Sequence, residues 1–171
     1  MIPISIPTTG RLDPKYVSLI MADPDRLADI VPMHAAAFPP PLGPVWGEDM
    51  LRPLLENPAS VTFIARVGLA GANTGFIIGQ VAADVSEIVS VGVVPDWQRR
   101  GIGAHLIGAF GRAAFRAGAT RLFLEVASDN IAAAKLYASI GCAEVGRRKG
   151  YYQRDGAAAV DAIVMSKVLA A

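Results

Sequence analysis

The chain has 171 residues, 53% of them hydrophobic, and a formal charge of +1 from sixteen basic and fifteen acidic side chains. That length and apolar content fit a single domain with one buried core, and the near-neutral balance excludes the broad basic field that draws a protein to nucleic acid. Cys142 stands alone, which excludes an internal disulfide and a thiolate zinc site.

The amino terminus, MIPISIPTTG, has no basic segment leading into an apolar one, and charges or prolines interrupt every apolar stretch before about 18 residues. A cytoplasmic protein with no membrane partner is expected. A strand is predicted over residues 16–21. Asp23-Pro24 then reads as an N-cap with proline in the first helical turn, followed by Leu27, Ile30, Val31, His34 and Phe38 at helical spacing. Pro32 lies too deep for the first turn, which predicts a kink or a late start. Residues 36–44 (AAFPPPLGP) can neither propagate a helix nor pair centrally, so a stiff loop should precede a short helix over 47–56. Such a loop is a plain connection or the lining of a substrate entrance.

Residues 61–67, 75–83 and 85–94 are rich in β-branched side chains and separated by hairpin-length gaps, which predicts an antiparallel meander. A helix over 101–117, with Ile102, Leu106, Phe110, Ala113, Ala114 and Ala117 on one face, ends at Gly118 and leads to a strand over 121–126. Strand, helix and strand make a crossover, so 85–94 and 121–126 should run parallel. A helix over 130–140, closed by Gly141, precedes a hairpin of 143–148 with 160–169 across a long polar loop. The expected class is α/β (α+β): a mostly antiparallel central sheet with one parallel βαβ crossover and helices on both faces.

Gln98-Arg99-Arg100-Gly101-Ile102-Gly103 falls between a strand and the long helix, where a helix N-terminus offers unpaired N–H groups and the positive end of its dipole. Gly101 and Gly103 lack the Cβ that would hold a phosphate at a distance, and Arg99 and Arg100 can add charge-assisted hydrogen bonds. Pyrophosphate binding suits this pattern. There is no Gly-Lys-Ser/Thr of a P-loop, and Leu106 stands where a dinucleotide fingerprint has a third small residue. Taken alone, the hexapeptide also fits an ordinary glycine-containing loop with solvated arginines.

The hexapeptide fits Q/R-x-x-G-x-G/A, and its context, VSVGVVPDWQRRGIGAHLI, resembles the cofactor-binding strand-to-helix junction of the GNAT superfamily of N-acetyltransferases. The resemblance extends over residues 23–168. It is strongest over 87–165, where LFLEVASDNIAAAKLYASIGCAEVGRRKGYY and DAIVM are similar to the RimI-like ribosomal-protein-alanine N-acetyltransferases. The resemblance implies one such domain over 1–171, acetyl-CoA as acetyl donor, and a peptide or protein N-terminus, a ribosomal protein beginning with alanine among them, as acceptor. It implies cofactor contacts from Gln98, Arg99, Arg100, Gly101, Ile102, Gly103 and Ala104, from the backbone of Val91, Gly92 and Val93 along the pantetheine arm, and from Asn130, which also reads as an N-cap.

Acetyl transfer to an amine needs a neutral nucleophile, a group to take its proton, a polarised thioester and a proton for the departing thiolate. Glu125, near the end of the predicted parallel strand, and Tyr137, twelve residues later on the next helix, are the right types. Spacing alone leaves Glu125 as a surface carboxylate or a base, and Tyr137 as a core aromatic or an acid. The matches within LEV and KLY imply the catalytic roles: Glu125 as general base, directly or through water, and Tyr137 as general acid. An α-amine titrates near about 7.7–8.0 and a lysine near about 10.4, so a neutral lysine at pH 7 costs roughly 3.5 kcal/mol more. One weakly basic carboxylate therefore suits an N-terminal amine, although burial can depress a lysine.

Cys142 stands where the family has an aromatic residue after glycine; it reads as a small buried hydrophobe that leaves room beside Tyr137 rather than as a nucleophile. His34 and His105 have no accompanying ligands, so no metal site is expected, and His34 should pack on its helix's apolar face. Arg147, Arg148, Lys149 and Arg154 flank the predicted loop carrying Tyr151 and Tyr152, as a solvated face or a substrate contact. Ala127 replaces the arginine frequent after LEV, which bears on peptide selectivity. Rival readings are a GNAT acting on a small-molecule amine or a lysine, and an acetyl-CoA-binding sensor without turnover. A monomer or a weak homodimer is expected.

Overall fold

Two proline-led turns bring the chain into its sheet. Asp13 caps Pro14–Tyr16, its carboxylate accepting from the Lys15 N–H at 3.0 Å, and strand β1 (Val17–Met21) follows. Asp23 caps Pro24–Arg26 in the same way, but that turn is a 3₁₀ turn and helix α1 (Leu27–Ala37) begins only at Leu27. The late start expected at Pro32 is not realised: after a turn of tighter pitch α1 begins at Leu27 and carries the proline inside it. This computed structural model describes residues 10–39, 45–68, 71–154 and 156–170, so residues 40–44 of the proline-rich loop lie outside the description. Ala36 and Ala37, assigned above to that loop, still belong to α1.

Helix α2 (Glu48–Glu56) is followed by strands β2 (Ser60–Val67), β3 (Ala72–Ala82) and β4 (Val85–Val93), which pair antiparallel in turn with β1 at the edge. Helix α3 (Ile102–Arg116) crosses to β5 (Arg121–Ala127), which lies parallel to β4, and α4 (Ile131–Ser139) leads to β6 (Ala143–Arg154) and β7 (Ala157–Val168). The sheet order is β1-β2-β3-β4-β5-β7-β6, with β4–β5 as its parallel pair. Alternation along β3 builds two cores: Phe76 and Ile78 face α1 and α2, together with Ile30, Leu51 and Ile64. Ile77 faces the other way, into a layer with Leu106, Phe110, Leu122, Leu124 and Met165 beneath α3 and α4. Helices cover both faces, as expected from the sequence. On α3 the buried stripe is wider than predicted, taking in Ile107 and Ala109, while Ala117 is exposed.

The closing hairpin differs from expectation. No long polar loop separates its strands: β6 runs on to Arg154 and β7 begins at Ala157. Register shifts between Glu144 and Gly146, between Arg148 and Tyr152, and between Tyr152 and Arg154 let polar residues enter an edge strand without breaking it. Gly150, at φ 60°, donates its N–H to Asp161 Oδ1 at 2.9 Å within the widest of these shifts. Tyr151 and Tyr152 thus stand on a bulged strand, not on a loop.

His34 packs as predicted on the apolar face of α1, 2% exposed, between the rings of Phe38 and Trp46. Its Nδ1 has no hydrogen-bond partner among the described residues, and burial lowers its pKa below the ordinary 6.5. The folded ring is therefore neutral at a pH where the unfolded ring takes up a proton. Stability should fall as pH drops through 6.5 toward the lower folded value. His105, lowered by burial and by Arg112, adds a term of the same sign. Thermal melting between about pH 7 and 5 should show a shallower loss for His34→Phe than for the native chain; equal slopes would show that His34 does not carry the effect.

Candidate active site

The site begins where two parallel strands part. Pairing between β4 and β5 runs from Val85 opposite Arg121 to Ile88 opposite Leu124 and stops. In β3, Ile78 pairs with Ser90 but Gly79 pairs with Ile88, so Val89 is an extra residue that bends β4 at the point of separation. Beyond it β4 stays with β3 and β5 with β7. The gap is a cleft of about 310 Å³, walled by Val89, Ser90 and Val91 on one side and by Glu125, Val126 and Ala127 on the other. Asn130, Ala133 and Tyr137 of the α4 region line it, with His34, Phe38 and Trp46 across from them. Among the described residues the edge of β4 facing this gap has no strand partner after Ile88, so its backbone groups are available to an extended ligand.

At the end of β4 the chain turns twice through the left-handed region, at Arg99 (φ 58°) and Gly101 (φ 89°), before entering α3. Gly101 is the N-cap and has no side chain to bond the first-turn N–H groups, and that turn holds no acidic residue. An anion fits there. Arg100 lies over the Trp97 ring, 4.8 Å from its centroid. The Gln98 side chain donates to the Val93 carbonyl at 3.0 Å and ties the loop to β4. Gly103 has a packing role as well, since a Cβ there would lie 3.2 Å from Leu136 of α4. Gly92 has a similar one, a Cβ there lying 2.8 Å from Ala37 and from Phe76, while Val91 lines the cleft.

Glu125 lies in the cleft wall with its side chain 24% exposed, and both its oxygens accept from Arg148 Nη1, at 3.0 and 3.2 Å. Tyr137 is 7% exposed and lines the same cleft. Burial, with Cys142 and Tyr152 beside it, pushes its phenol far above the ordinary 10.0. Such a hydroxyl holds its proton at neutral pH and can donate it. Asn130 caps α4, its Oδ1 accepting from the Ala133 N–H at 3.1 Å. Two predicted acid–base groups thus share one cavity, reached from two different elements.

A model of the acetyltransferase (GNAT) family matches residues 27–142, more than half of the chain. The chain belongs to the GNAT acetyltransferase family. Among sequences, the [ribosomal protein bS18]-alanine N-acetyltransferase of Escherichia coli (strain K12) is 37% identical over 97 residues, a match covering 56% of this chain and 64% of that protein. The N-alpha-acetyltransferase RimI of Mycobacterium tuberculosis is 39% identical over 91 residues, covering 53% of this chain and 54% of that one. Each match thus spans less than two thirds of the relative's own length. Among structures, the ribosomal-protein-S18-alanine N-acetyltransferase from Escherichia coli superposes with a TM-score of 0.80 at 25% identity, covering 91% of this chain and 95% of that one. Arabidopsis thaliana NAA60, solved with acetyl-CoA, shares the fold with a TM-score of 0.76 at 17% identity, covering 90% and 98%. The resemblance to RimI-like proteins seen in the sequence is matched by these relatives.

Several parts of this GNAT site were not visible in the sequence. Arg11 and Leu12 come from far upstream to close on the loop, the Leu12 N–H donating to the Arg100 carbonyl at 3.0 Å. Arg11, Arg100, His105 and Arg112 then line a groove of about 190 Å³ along the first turns of α3. No local motif announces Arg11. Trp46 also reaches the cleft without any sequence signal, whereas Phe38 and Tyr152, which line it too, come from segments read above as a possible entrance lining and a possible substrate contact. Cys142 is buried beside Tyr137, and burial raises its thiol pKa, which fits packing and disfavours a nucleophile. Among the described residues no group of three His, Cys, Asp or Glu side chains could hold a metal ion, and no helix is long and apolar enough to cross a membrane.

Proposed function

We propose that this chain transfers the acetyl group of acetyl-CoA to the α-amine of a peptide or protein, acting in the cytoplasm as a single domain over residues 1–171. The observation that carries the reading is the convergence of Glu125 and Tyr137 on a cleft that opens where β4 leaves β5, with an anion-ready helix start at the end of β4. Acetyl-CoA supplies an activated acyl group as a thioester. The backbone of Val91, Gly92 and Val93 would hold its pantetheine arm in the manner of an added strand, and the N–H groups of Ile102, Gly103 and Ala104 would face its pyrophosphate, helped by Arg99 and Arg100. Gln98 supports that loop through Val93, and Asn130, whose oxygen is engaged in the α4 cap, has its amide nitrogen to offer.

Glu125 takes the proton of the acceptor amine as it attacks, and Tyr137 gives a proton to the departing sulfur. The relatives named for ribosomal-protein alanine make an alanine N-terminus, that of a ribosomal protein among them, the acceptor of choice. Ala127 in the cleft wall leaves room beside Glu125 for the first residues of such a peptide.

The test is mass spectrometry after incubating the protein and acetyl-CoA with two peptides, one beginning with a free alanine and one N-blocked but carrying lysine. Acetylation of the free α-amine alone is expected. Modification of lysine alone would overturn the acceptor assignment, and no product on either would point to a small amine or to a sensor.

A further inference from the structure

The amine site of Glu125 already holds a cation. Arg148, on β6, places Nη1 within hydrogen-bond distance of both carboxylate oxygens, at 3.0 and 3.2 Å. The guanidinium also lies over Tyr151, its central carbon 3.7 Å from the ring centroid. Its side chain is 51% exposed, whereas that of Glu125 is 24% exposed, so the arginine reaches the carboxylate from the solvent side of the cleft. The strand that carries it is fastened at a second point: Arg154 Nη2 lies 3.0 and 3.1 Å from the two oxygens of Asp129. Arg154 is 11% exposed there, which makes it the better buried of the two arginines. An amine that gives its proton directly to Glu125 must approach the oxygens that Arg148 now engages. Entry of the acceptor and retreat of Arg148 are therefore one exchange.

We propose that Arg148 is a specificity-determining residue that distinguishes α-amines from ε-amines and polyamines. The proposal rests on the acetyltransferase reading above and names the group that reads the acceptor. A guanidinium displaced from Glu125 remains on the face of Tyr151, next to the incoming amine. There it can donate to any acceptor the ligand offers in place of the carboxylate it gave up. An amino acid or peptide N-terminus brings one with it, because its first carbonyl is joined to the carbon that bears the amine. A lysine side chain or an alkyl polyamine brings no carbonyl at that position, and a polyamine adds a further positive charge beside Arg148. Like charges at that separation oppose binding, and the half-exposed guanidinium turns to water instead of to the acceptor. Arg148 thus favours an acceptor with a carbonyl beside its amine and penalises a second cation.

Kinetics with the whole chain test this. Arg148→Gln and Arg148→Lys would each be compared with the native protein, with rates expressed per neutral amine, on three acceptors: an alanine-starting peptide, the same peptide with its first amide replaced by an uncharged methylene-oxygen (CH2–O) link, and a linear triamine. In the native protein kcat/KM should favour the intact peptide over the methylene analogue by about tenfold or more, as expected when a hydrogen-bond partner is deleted from a charged donor. Arg148→Gln should collapse that ratio toward one, chiefly through a higher KM for the intact peptide, and should raise relative turnover of the triamine. Arg148→Lys, which keeps the charge without the planar fork, should still disfavour the triamine. Equal melting temperatures and equal acetyl-CoA affinity would separate this effect from a loss of structure. An unchanged ratio between intact and methylene peptides in Arg148→Gln would overturn the proposal even if peptide acetylation itself is confirmed. Failure of the native protein to acetylate any α-amine would overturn the acceptor reading and this inference together.

Discussion

Replacing Glu125 with glutamine is expected to lower kcat by about 10²–10⁴, the span that a positioned general base contributes, with acetyl-CoA affinity nearly unchanged. The substitution keeps the size and shape of the side chain and removes the charge that receives the proton. Its position allows the separation: Glu125 is on β5, while the groups proposed for the cofactor are on β4, at the start of α3 and, at Asn130, at the start of α4. Tyr137→Phe should act on the other half of the reaction, lowering kcat by removing the proton offered to sulfur. Since the phenol of Tyr137 is held far above 10.0 by burial, no loss of its proton should appear in the pH–rate profile below pH 10. Steady-state kinetics with cofactor binding measured separately by calorimetry would check both. Turnover unchanged in either variant, with cofactor still bound, would remove that residue from the mechanism and leave the family assignment standing.

The largest effect on stability is expected at a residue with no part in the chemistry. Gly79 lies on β3 where its register with β4 shifts, and a Cβ there would stand 2.3 Å from Phe110 and 2.8 Å from the Glu87 carbonyl. Phe110, on the inner face of α3, is fully buried and cannot swing out, and the carbonyl belongs to backbone. Gly79→Ala should cost about 3 kcal/mol or more, lowering Tm by roughly 6–12 °C for a chain of this size. Phe110→Leu opens space at the same point, so the double variant should lose less than the sum of the two single ones. Additive losses in that cycle, or a Gly79→Ala variant melting within about 2 °C of the native chain, would contradict the packing seen here.

Much of this fold could be read from local chemistry. The Gly101-x-Gly103 loop, the Asn130 cap and the strand-helix-strand order fixed the parallel pair and placed Glu125 and Tyr137 on adjoining elements. Three things could not be read that way because they depend on register or on distant contact. The split after Ile88 arises from one unpaired residue, Val89, and β-branched composition is the same with or without that bulge. The hairpin of β6 and β7 carries polar residues that a sequence reader assigns to a loop, yet an edge strand can hold them in bulges. The pairing of Arg148 with Glu125 spans two elements that meet only through β7, so no spacing rule reaches it. These unread features belong to the site more than to the scaffold: they shape the cleft and decide what stands in front of the base.

Amide hydrogen exchange with and without acetyl-CoA tests the central claim most directly. Residues 89–93, on the open edge of β4, and residues 102–104, at the start of α3, should exchange at least about tenfold more slowly when the cofactor is present, with little change in β1 and β2. Protection confined to the groove of Arg11 and Arg112, or spread evenly over the sheet, would contradict a cofactor seated where the two parallel strands part.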